Sequence, residues 1–393
     1  MVGRARPIYL DYHATTPTDP RVAAVVLHHL TTAFGNASSA DHAFGDEAEA
    51  AVEAARAEVA ALVNAPPAAV VFTSGATESL NLALQGFTAA LARAGHRPRL
   101  AVSPVEHRAV LDTCAHLARE GRAELRWLRV DDRARLDLDH VEDVCRAGVD
   151  LVVAMAANNE VGTLYPVDAV GALAEAHGAA FLCDATQAAG KVPLLATRSG
   201  VTFLALSAHK FYGPKGAGAL VVRRGAPLEA ALRGGGHERG LRSGTLNVPG
   251  IAGLGEAARL RRAEMAADEP AIARRRDTME ATLLDAIPGL VVNGDRAARL
   301  AGNLHVSVPD VPNGAVVARL RERVALATGA ACSSGVEAPS HVLRAMRLPQ
   351  PIQDGALRLS LGKFTTDEDV SRAAAALAEA VHAARSAIGR ALA

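Results

Sequence analysis

The apolar residues of the chain form two patterns, short apolar runs and longer stretches with helical spacing. From residue 41 to 64 apolar side chains recur every three or four positions, which predicts one long amphipathic helix. Apolar runs of strand length then alternate with helical patterns. The predicted strands are 70–73, 100–103, 125–130, 151–155, 181–184, 203–206 and 217–222, and the predicted helices between them are 108–120, 136–146 and 167–177. This alternation predicts an α/β fold, with a mainly parallel sheet covered by helices on both faces.

The last third of the chain has a different pattern. Residues 251–287 are helical in pattern and heavily charged, and we expect a helix that breaks near Pro270 and bridges two domains. Strands are predicted near 303–308, 324–327 and 357–361, and a final helix is predicted to begin at Thr365, whose spacing to Glu368 is that of a capping box. We therefore expect a large domain over 15–260 and a smaller α+β domain over 261–393 together with 1–14.

Composition limits the possible partners and location. The chain has 393 residues, half of them apolar, and 42 acidic residues balance 42 basic ones. This balance gives no sign of a polyanion or an anionic membrane as partner, so no direct nucleic-acid or membrane binding is expected. No apolar run approaches the ~18 residues of a membrane span, and the first seven residues lack the core of a signal peptide. A cytoplasmic location is expected.

The four cysteines show no Cys-x-x-Cys pair, so the sequence indicates neither a disulfide framework nor a zinc site of four thiolates. Cys114 and Cys145 fall in helical patterns and Cys183 in an apolar run, as small core residues do. Cys332 differs, because residues 328–335 form a loop of small residues. We expect its thiol to be exposed.

Lys210 follows the apolar run 203–206, after Ser207 and His209, and a Gly-Pro turn comes directly behind it. A rigid strand end can aim an amine into a cleft. An amine with hydroxyl and imidazole donors beside it is suited to hold a carbonyl cofactor as a Schiff base next to a phosphate. A surface lysine after a strand would show the same short pattern, so this segment alone does not distinguish a cofactor lysine from a surface one.

Polar residues follow other predicted strands as well. Residues 74–77 lie between a strand and a helix, where backbone N–H groups bind anions, although an ordinary helix cap would look the same. Asp184 ends a strand and suits a pyridinium nitrogen, or caps the next helix. Residues 158–160 and 104–107 follow two more strands. Parallel strands bring all these groups to one edge of the sheet, so together they predict a site.

Eight segments make the chain recognisable, among them Ser-Ala-His-Lys-Phe-Tyr-Gly-Pro-Lys-Gly at 207–216 and Gly-Ala-Ala-Cys-Ser-Ser at 329–334. The others are residues 9–17, 72–79, 106–107, 158–162, 184–187 and 234–245. In these segments the chain resembles the cysteine desulfurases, class V aminotransferases of the type that serves iron-sulfur assembly and nitrogen fixation. The resemblance covers nearly the whole chain. It implies the fold of fold-type I pyridoxal-phosphate enzymes, with a mainly parallel seven-stranded sheet flanked by helices.

The resemblance also implies a role for each matching residue. Lys210 would carry the cofactor, Asp184 would pair with the pyridine nitrogen, Gln187 would donate to the ring hydroxyl oxygen, and His107 would stack on the ring and move protons. The remaining implied contacts are Asn158 against the ring, Ala76, Thr77, Ser207 and His209 at the phosphate, Thr245 at the phosphate from the second subunit, and Asn36 and Arg358 at the substrate carboxylate. Arg358 also fits a simpler interpretation, as part of the polar face of a strand.

The activity implied is that of a homodimer that converts L-cysteine to L-alanine and leaves a persulfide on Cys332, from which the sulfur passes to an acceptor or scaffold protein. No resident metal is expected, although Cys332 could transiently ligate a cluster. One alternative is another class V aminotransferase or lyase, such as a selenocysteine lyase, in which Cys332 would be incidental. A second is a non-catalytic scaffold for sulfur relay. The sequence leaves the recipient of the sulfur open.

Overall fold

A computed structural model of the chain describes residues 6–197, 200–328 and 340–392. The predicted cysteine loop, with Cys332, lies outside these residues. The strands are β1 (Ile8–Tyr9), β2 (Val70–Thr73), β3 (Arg99–Val102), β4 (Glu124–Trp127), β5 (Leu151–Met155), β6 (Ala180–Asp184), β7 (Phe203–Ser207), β8 (Gly218–Val222), β9 (Val291–Val292), β10 (Asn303–Ser307), β11 (Val324–Ala325) and β12 (Ala356–Ser360). The helices are α1 (Pro20–Thr31), α2 (Ala43–Leu62), α3 (Ala76–Arg93), α4 (Arg108–Arg119), α5 (Leu138–Arg146), α6 (Val167–Ala176), α7 (Val248–Ala286), α8 (Asn313–Leu320), α9 (His341–Ala345), α10 (Gln350–Asp354) and α11 (Asp367–Leu392).

Seven strands form the main sheet, in the order β2-β8-β7-β6-β5-β3-β4. All neighbours are parallel except β8, which runs antiparallel to both β2 and β7. The central strands β5 and β7 are buried at every position, which explains why they read as continuous apolar runs. The predicted α/β fold with a mainly parallel seven-stranded sheet is confirmed. Because β8 is antiparallel to both of its neighbours, β2 and β7 run in the same direction and end at the same edge of the sheet.

A second core forms around the antiparallel sheet β12-β10-β9, against which parts of α7 and α11 pack. Leu10, close to the amino terminus, belongs to this core. The core residues of α7 divide between the two clusters, since those up to Leu260 pack with the large sheet and those from Ile272 pack with the small one. The domain limits 15–260 and 261–393 stay a prediction.

Helix α7 runs unbroken through Pro270, so the predicted break there is wrong. An internal proline costs a helix about 3 kcal/mol, because it removes one hydrogen bond and its ring crowds the preceding turn. Here the turn before the proline is held from within the helix. The guanidinium of Arg261, which is fully buried, pairs with Asp268 and with Glu269, whose Oε1 lies 2.7 Å from Nη2. These buried ion pairs within α7 help to offset the cost of the proline.

The last helix begins slightly later than predicted. The reciprocal hydrogen bonds of its capping box join Thr366 and Asp369: the Asp369 N–H donates to Thr366 Oγ1 at 3.0 Å, and the Thr366 N–H donates to Asp369 Oδ2 at 3.0 Å. Thr365 and Glu368, the predicted pair, do not form this box. The Thr365 hydroxyl instead accepts the N–H of Gly362 at 3.1 Å.

Three further features concern the described part of the chain. Cys114, Cys145 and Cys183 are buried free thiols, as predicted for core residues. No helix among these residues is both long and apolar enough to cross a membrane. The described residues also contain no cluster of three side chains of the kinds that ligate metals.

A buried ion pair connects α2 with the glycine-rich segment 234–247. Arg56 donates to both carboxylate oxygens of Glu238, at 2.8 and 2.9 Å, and the same carboxylate accepts the backbone N–H of Phe72 at 2.7 Å. Both side chains are almost fully buried, at 6% and 1% exposure. Glu238 has φ +48°, a left-handed conformation that costs a non-glycine residue energy and that these bonds hold in place.

Replacing Arg56 should therefore destabilise the protein strongly. We expect Arg56→Met to lower the free energy of unfolding by about 3–5 kcal/mol, because the Glu238 carboxylate would stay buried without its partner. Urea unfolding measures this loss. The matched control is Arg146→Met on α5, where the ion pair to Glu142 is exposed, and its cost should stay under about 1 kcal/mol. An equal loss of unfolding free energy in the two variants would contradict a stabilising role of the buried Arg56–Glu238 pair.

Candidate active site

Lys210 lies in the short helical turn that follows β7 at the carboxyl edge of the main sheet. Its Nζ donates to the carbonyl oxygens of His13 and Ala14, at 2.7 and 2.8 Å. Burial lowers the pKa of the amine from 10.5 to about 8; the charge of Arg358 lowers it further, and Asp184 opposes the shift. About a tenth of the amine is therefore neutral and nucleophilic at pH 7, far more than for an ordinary lysine.

Asp184 is the last residue of β6, and it is 5% exposed. It pairs in register with Met155 of β5 and Ala205 of β7, so its carboxylate stands one strand away from the strand that leads to Lys210. Its Oδ1 accepts the N–H of Thr186 at 2.9 Å. That contact fits a turn cap as well as a ligand site, but the carboxylate also raises the pKa of both Lys210 and the nearby His107 imidazole.

His107 caps the start of α4, where its Nδ1 accepts the N–H of Ala109 at 3.1 Å. Burial lowers the pKa of the imidazole, the carboxylate of Asp184 opposes this, and the charge of Lys210 adds to it. The ring is therefore neutral at physiological pH. Because Nδ1 accepts a hydrogen bond, the ring proton is on Nε2, where it can be exchanged.

Gln187 is connected to Lys210 through a shared acceptor. Its Nε2 donates to the carbonyl of His13 at 2.8 Å, the same oxygen that accepts from Lys210. Its Oε1 accepts from Nζ of Lys191 at 2.9 Å. The amide is thus held at both ends beside the amine of Lys210.

Asn158 is fully buried at the loop after β5. Its Oδ1 accepts the N–H groups of Glu160 and Val161, at 2.8 and 3.0 Å, and its Nδ2 donates to the carbonyl of Val105 at 3.1 Å. The amide therefore ties together the loops after β3 and β5. Its contact with a cofactor ring stays a prediction.

The start of α3 fits a phosphate. The first N–H groups of the helix, at Ala76 and Thr77, have no acceptor within it, and Gly75 has no side chain to cap them. A Cβ at Gly75, whose φ is +152°, would lie 3.4 Å from Ser207 Oγ, so a larger residue would crowd this hydroxyl. His209 adds a neutral imidazole, since burial and the charge of Lys210 lower its pKa to about 4. Amides, a hydroxyl and an imidazole are the donors that the phosphate of pyridoxal phosphate requires.

Arg358 reaches the same region from β12 in the small sheet. Its Nη2 donates to Asp11 Oδ1 at 2.7 Å and its Nη1 to the carbonyl of Asn159 at 3.0 Å. The side chain is buried, and its Nε finds no acceptor among the described residues. A buried N–H without a partner is a donor that a carboxylate can satisfy. The strand-face interpretation of Arg358 therefore remains open, and its contact with a substrate carboxylate stays a prediction.

Two predicted residues, Asn36 and Thr245, are not brought to this site among the described residues. Asn36 is exposed in the loop between α1 and α2, where its Oδ1 accepts the N–H of Ser38 at 3.0 Å. Thr245 is exposed in the loop before α7. No hydrogen bond among the described residues connects either one to Lys210 or Arg358. Cys332 lies outside the described residues.

Glu106, which is buried, and Lys191, which is partly buried, also contact this region, and the sequence assigns neither an individual role. Glu106 is fully buried; its Oε1 accepts the N–H of Met155 at 2.7 Å, and burial together with Asp184 raises its pKa well above the usual value. In the sequence Glu106 stands out only as the neighbour of His107. No sequence pattern indicated a role for Lys191. It lies in a turn, where no periodicity shows that its side chain reaches Gln187, four residues earlier.

Known proteins resemble the chain along nearly its whole length. The family described as aminotransferase class-V matches residues 8–373. The cysteine desulfurase IscS of Anaeromyxobacter sp. (strain Fw109-5) is 45% identical over 381 residues, which are 96% of this chain and 93% of the relative. A solved NifS-like protein superimposes with a TM-score of 0.89 at 33% identity, covering 95% of this chain and 99% of that one. DndA from Streptomyces lividans gives a TM-score of 0.77 at 40% identity, over 89% and 98% of the two chains.

These matches confirm the predicted resemblance and the class of enzyme. The matched residues include both cores and the edge of the sheet that bears Lys210. The chain belongs to the class-V aminotransferase family and, within it, to the pyridoxal-phosphate-dependent cysteine desulfurases.

Proposed function

We propose that the chain takes sulfur from L-cysteine with Lys210, Asp184 and His107 as its central groups, and that Cys332 receives the sulfur before an acceptor protein does. The observation that carries the proposal is the position of Lys210. Its amine ends a buried strand, has a pKa lowered to about 8, and shares the His13 carbonyl with Gln187.

When bound, pyridoxal phosphate supplies an aldehyde that joins an amine and a ring that stores the electron pair left by a departing Cα proton. Asp184 offers the ring nitrogen a buried carboxylate, and Gln187 offers the ring oxygen an N–H. The start of α3, with Ser207 and His209, offers donors to the phosphate. These residues bind and orient the cofactor.

The protons and the substrate are handled by other residues. The neutral amine of Lys210 accepts the Cα proton once the substrate has taken its place, and His107 can exchange a proton at Nε2. Arg358 offers the substrate carboxylate two or more N–H groups, with Asn36 as a second donor. A Cys332 thiolate then attacks the substrate sulfur. The new sulfur–sulfur bond forms as the Cβ–S bond breaks, and protonation at carbon completes L-alanine.

We propose that the enzyme is a homodimer with composite sites, because one face of the chain is apolar and exposed. Leu27, Leu30, Phe34 and Phe44 each have more than half of their surface exposed, and the rings of Phe34 and Phe44 lie 5.4 Å apart. Large apolar side chains exposed near one another in the sequence are typical of subunit interfaces. Asn36 lies in the same loop, and Thr245 is exposed, as residues that complete a partner's site would be.

The proposal extends to a cytoplasmic location, which the free thiols of Cys114, Cys145 and Cys183 support, since thiols persist in reducing compartments. The sulfur recipient is a protein, and the one that co-purifies with the chain would identify the pathway.

The assignment of Lys210 is tested by trapping the cofactor. Borohydride should fix it on the peptide that contains Lys210 in the wild type, and Lys210→Ala should yield no such adduct. Lys215→Ala, which removes an exposed lysine of the same segment, is the control and should retain it. Because the pKa of Lys210 is lowered, the rate at which cofactor-free protein captures the cofactor should rise up to about pH 8 and then level off. An adduct on the Lys210→Ala protein would refute the assignment.

The role of Cys332 separates the desulfurase from an aminotransferase or lyase. Cys332→Ser should still bind cofactor and L-cysteine, because those steps use other residues. Alanine formation should fall by several orders of magnitude, as happens when a covalent nucleophile is removed. Mass spectrometry should find an added sulfur on Cys332 in the wild type, and Cys145→Ala should behave like the wild type. Undiminished alanine production by Cys332→Ser would favour the lyase.

The composite site is tested by mixing variants. Thr245→Glu would repel the phosphate and Lys210→Ala cannot hold the cofactor, so each alone should be inactive. After subunit exchange the mixture should regain up to about a quarter of the wild-type activity, because half of the dimers are hybrids with one intact site each. A chain with both substitutions, mixed with Lys210→Ala, should regain nothing. An active monomer would contradict the composite site.

A further inference from the structure

The chain uses lysine very sparingly. It has four lysines against 38 arginines, so a lysine marks a position where arginine does not serve. Lys210 needs an amine for its chemistry. Lys363 fits a compact ammonium between Asp19, at 2.5 Å, and the ring of Tyr212, at 4.6 Å. Lys215 is exposed. Lys191 has no place in the mechanism described so far.

Lys191 belongs to a chain of hydrogen bonds that leads to the reacting amine. It donates to Oε1 of Gln187 at 2.9 Å, and Nε2 of the same amide donates to the His13 carbonyl at 2.8 Å. That carbonyl also accepts from Lys210 at 2.7 Å. The amide of Gln187 therefore lies between Lys191 and the carbonyl oxygen to which Lys210 donates directly.

The turn that carries Lys191 is fixed by the long helix α7. Arg261 donates through Nε to the carbonyl of Gly190 at 2.8 Å. Gly190 has φ +71°, and a Cβ there would lie 2.9 Å from Cβ of Phe211 and 3.0 Å from Cγ of Arg261. The backbone at this point therefore requires glycine and has little freedom to shift. Lys191 consequently reaches Gln187 from a rigid base.

We infer that Lys191 is a positioning residue, which fixes the amide of Gln187 with its oxygen outward and its NH₂ toward the cofactor. The inference rests on the proposed function, in which Gln187 serves the ring oxygen. The structure shows Lys191 Nζ donating to Gln187 Oε1, and while Lys191 is protonated it can only donate, so the amide atom that faces it must be the oxygen. The amide NH₂ is then directed to the other side, where an ionised ring oxygen needs a donor.

The charges around Lys191 explain why a lysine stands here. Burial lowers its pKa to about 7; Glu269 opposes the shift, and the charges of Lys210, Arg261 and Arg358 add to it. An arginine would stay charged under all conditions and would repel Lys210 whenever that amine is protonated. A lysine can release its proton when Lys210 is charged and still donate through its N–H groups.

The test is a pH titration of the visible absorbance of the bound cofactor, which reports the proton on the imine nitrogen beside the ring oxygen that Gln187 would contact. In Lys191→Met the midpoint should rise by about one pH unit, because the ionised ring oxygen loses an oriented donor. Lys215→Met removes the same charge from an exposed site and should leave the midpoint unchanged. Should Lys191→Met fail to fold, Lys191→Gln keeps the reach without the obligatory donor and is expected to shift the midpoint in the same direction.

A second substitution shows whether Lys191 acts through the amide. In a Gln187→Leu background, Lys191→Met should cause no further shift. An equal shift in that background would overturn the inference, because Lys191 would then act by its charge alone. An unchanged midpoint in the single variant Lys191→Met would overturn it as well. If the wild type carried no cofactor on Lys210, the proposed function would fail instead, so the two failures are distinguishable.

Discussion

The carbonyl oxygen of His13 is the contact on which the geometry of the site depends. It accepts from both Gln187 and Lys210, and so holds the ends of two neighbouring segments of the large sheet at one point. The same residue donates its backbone N–H to Ser360 Oγ at 2.9 Å, in the small sheet. A short amino-terminal segment thus joins the two cores at the place where the chemistry occurs. Movement of one core against the other would change the position of the amine.

The sheet edge could be predicted from the sequence because parallel strands obey a strict rule. Strands buried on both faces are continuous apolar runs, and their carboxyl ends meet at one edge, so Asp184 and the segment through Lys210 had to lie close together. The antiparallel β8 does not disturb this, since β2 remains parallel to β7. The predicted family and enzyme class, which the comparisons confirm, rested partly on residues at this edge and partly on segments elsewhere, such as 9–17 and 234–245.

What the sequence did not reveal depends on side-chain contacts that secondary-structure patterns do not indicate, or on contacts between chains. Pro270 predicts a break from local geometry alone, whereas Arg261 holds the helix through Asp268 and Glu269 two turns further along. Lys191 lies in a turn, where no periodicity indicates the direction of a side chain. Thr245 is predicted to serve the site of a second copy, and we propose the same for Asn36; a single chain does not bring such residues to their targets.

The charges of the site complement those of its ligands. Burial lowers the pKa of Lys210, Lys191 and His209 alike, and other cations add to the shift in each case. A phosphate beside His209 and a carboxylate beside Arg358 would supply negative charge that compensates this accumulation of positive charge. The two anion sites lie on different elements, the edge of the large sheet and β12, and the pKa of Lys210 responds to the charge of Arg358. Binding of substrate should therefore raise the proton affinity of the same amine that has to accept the Cα proton.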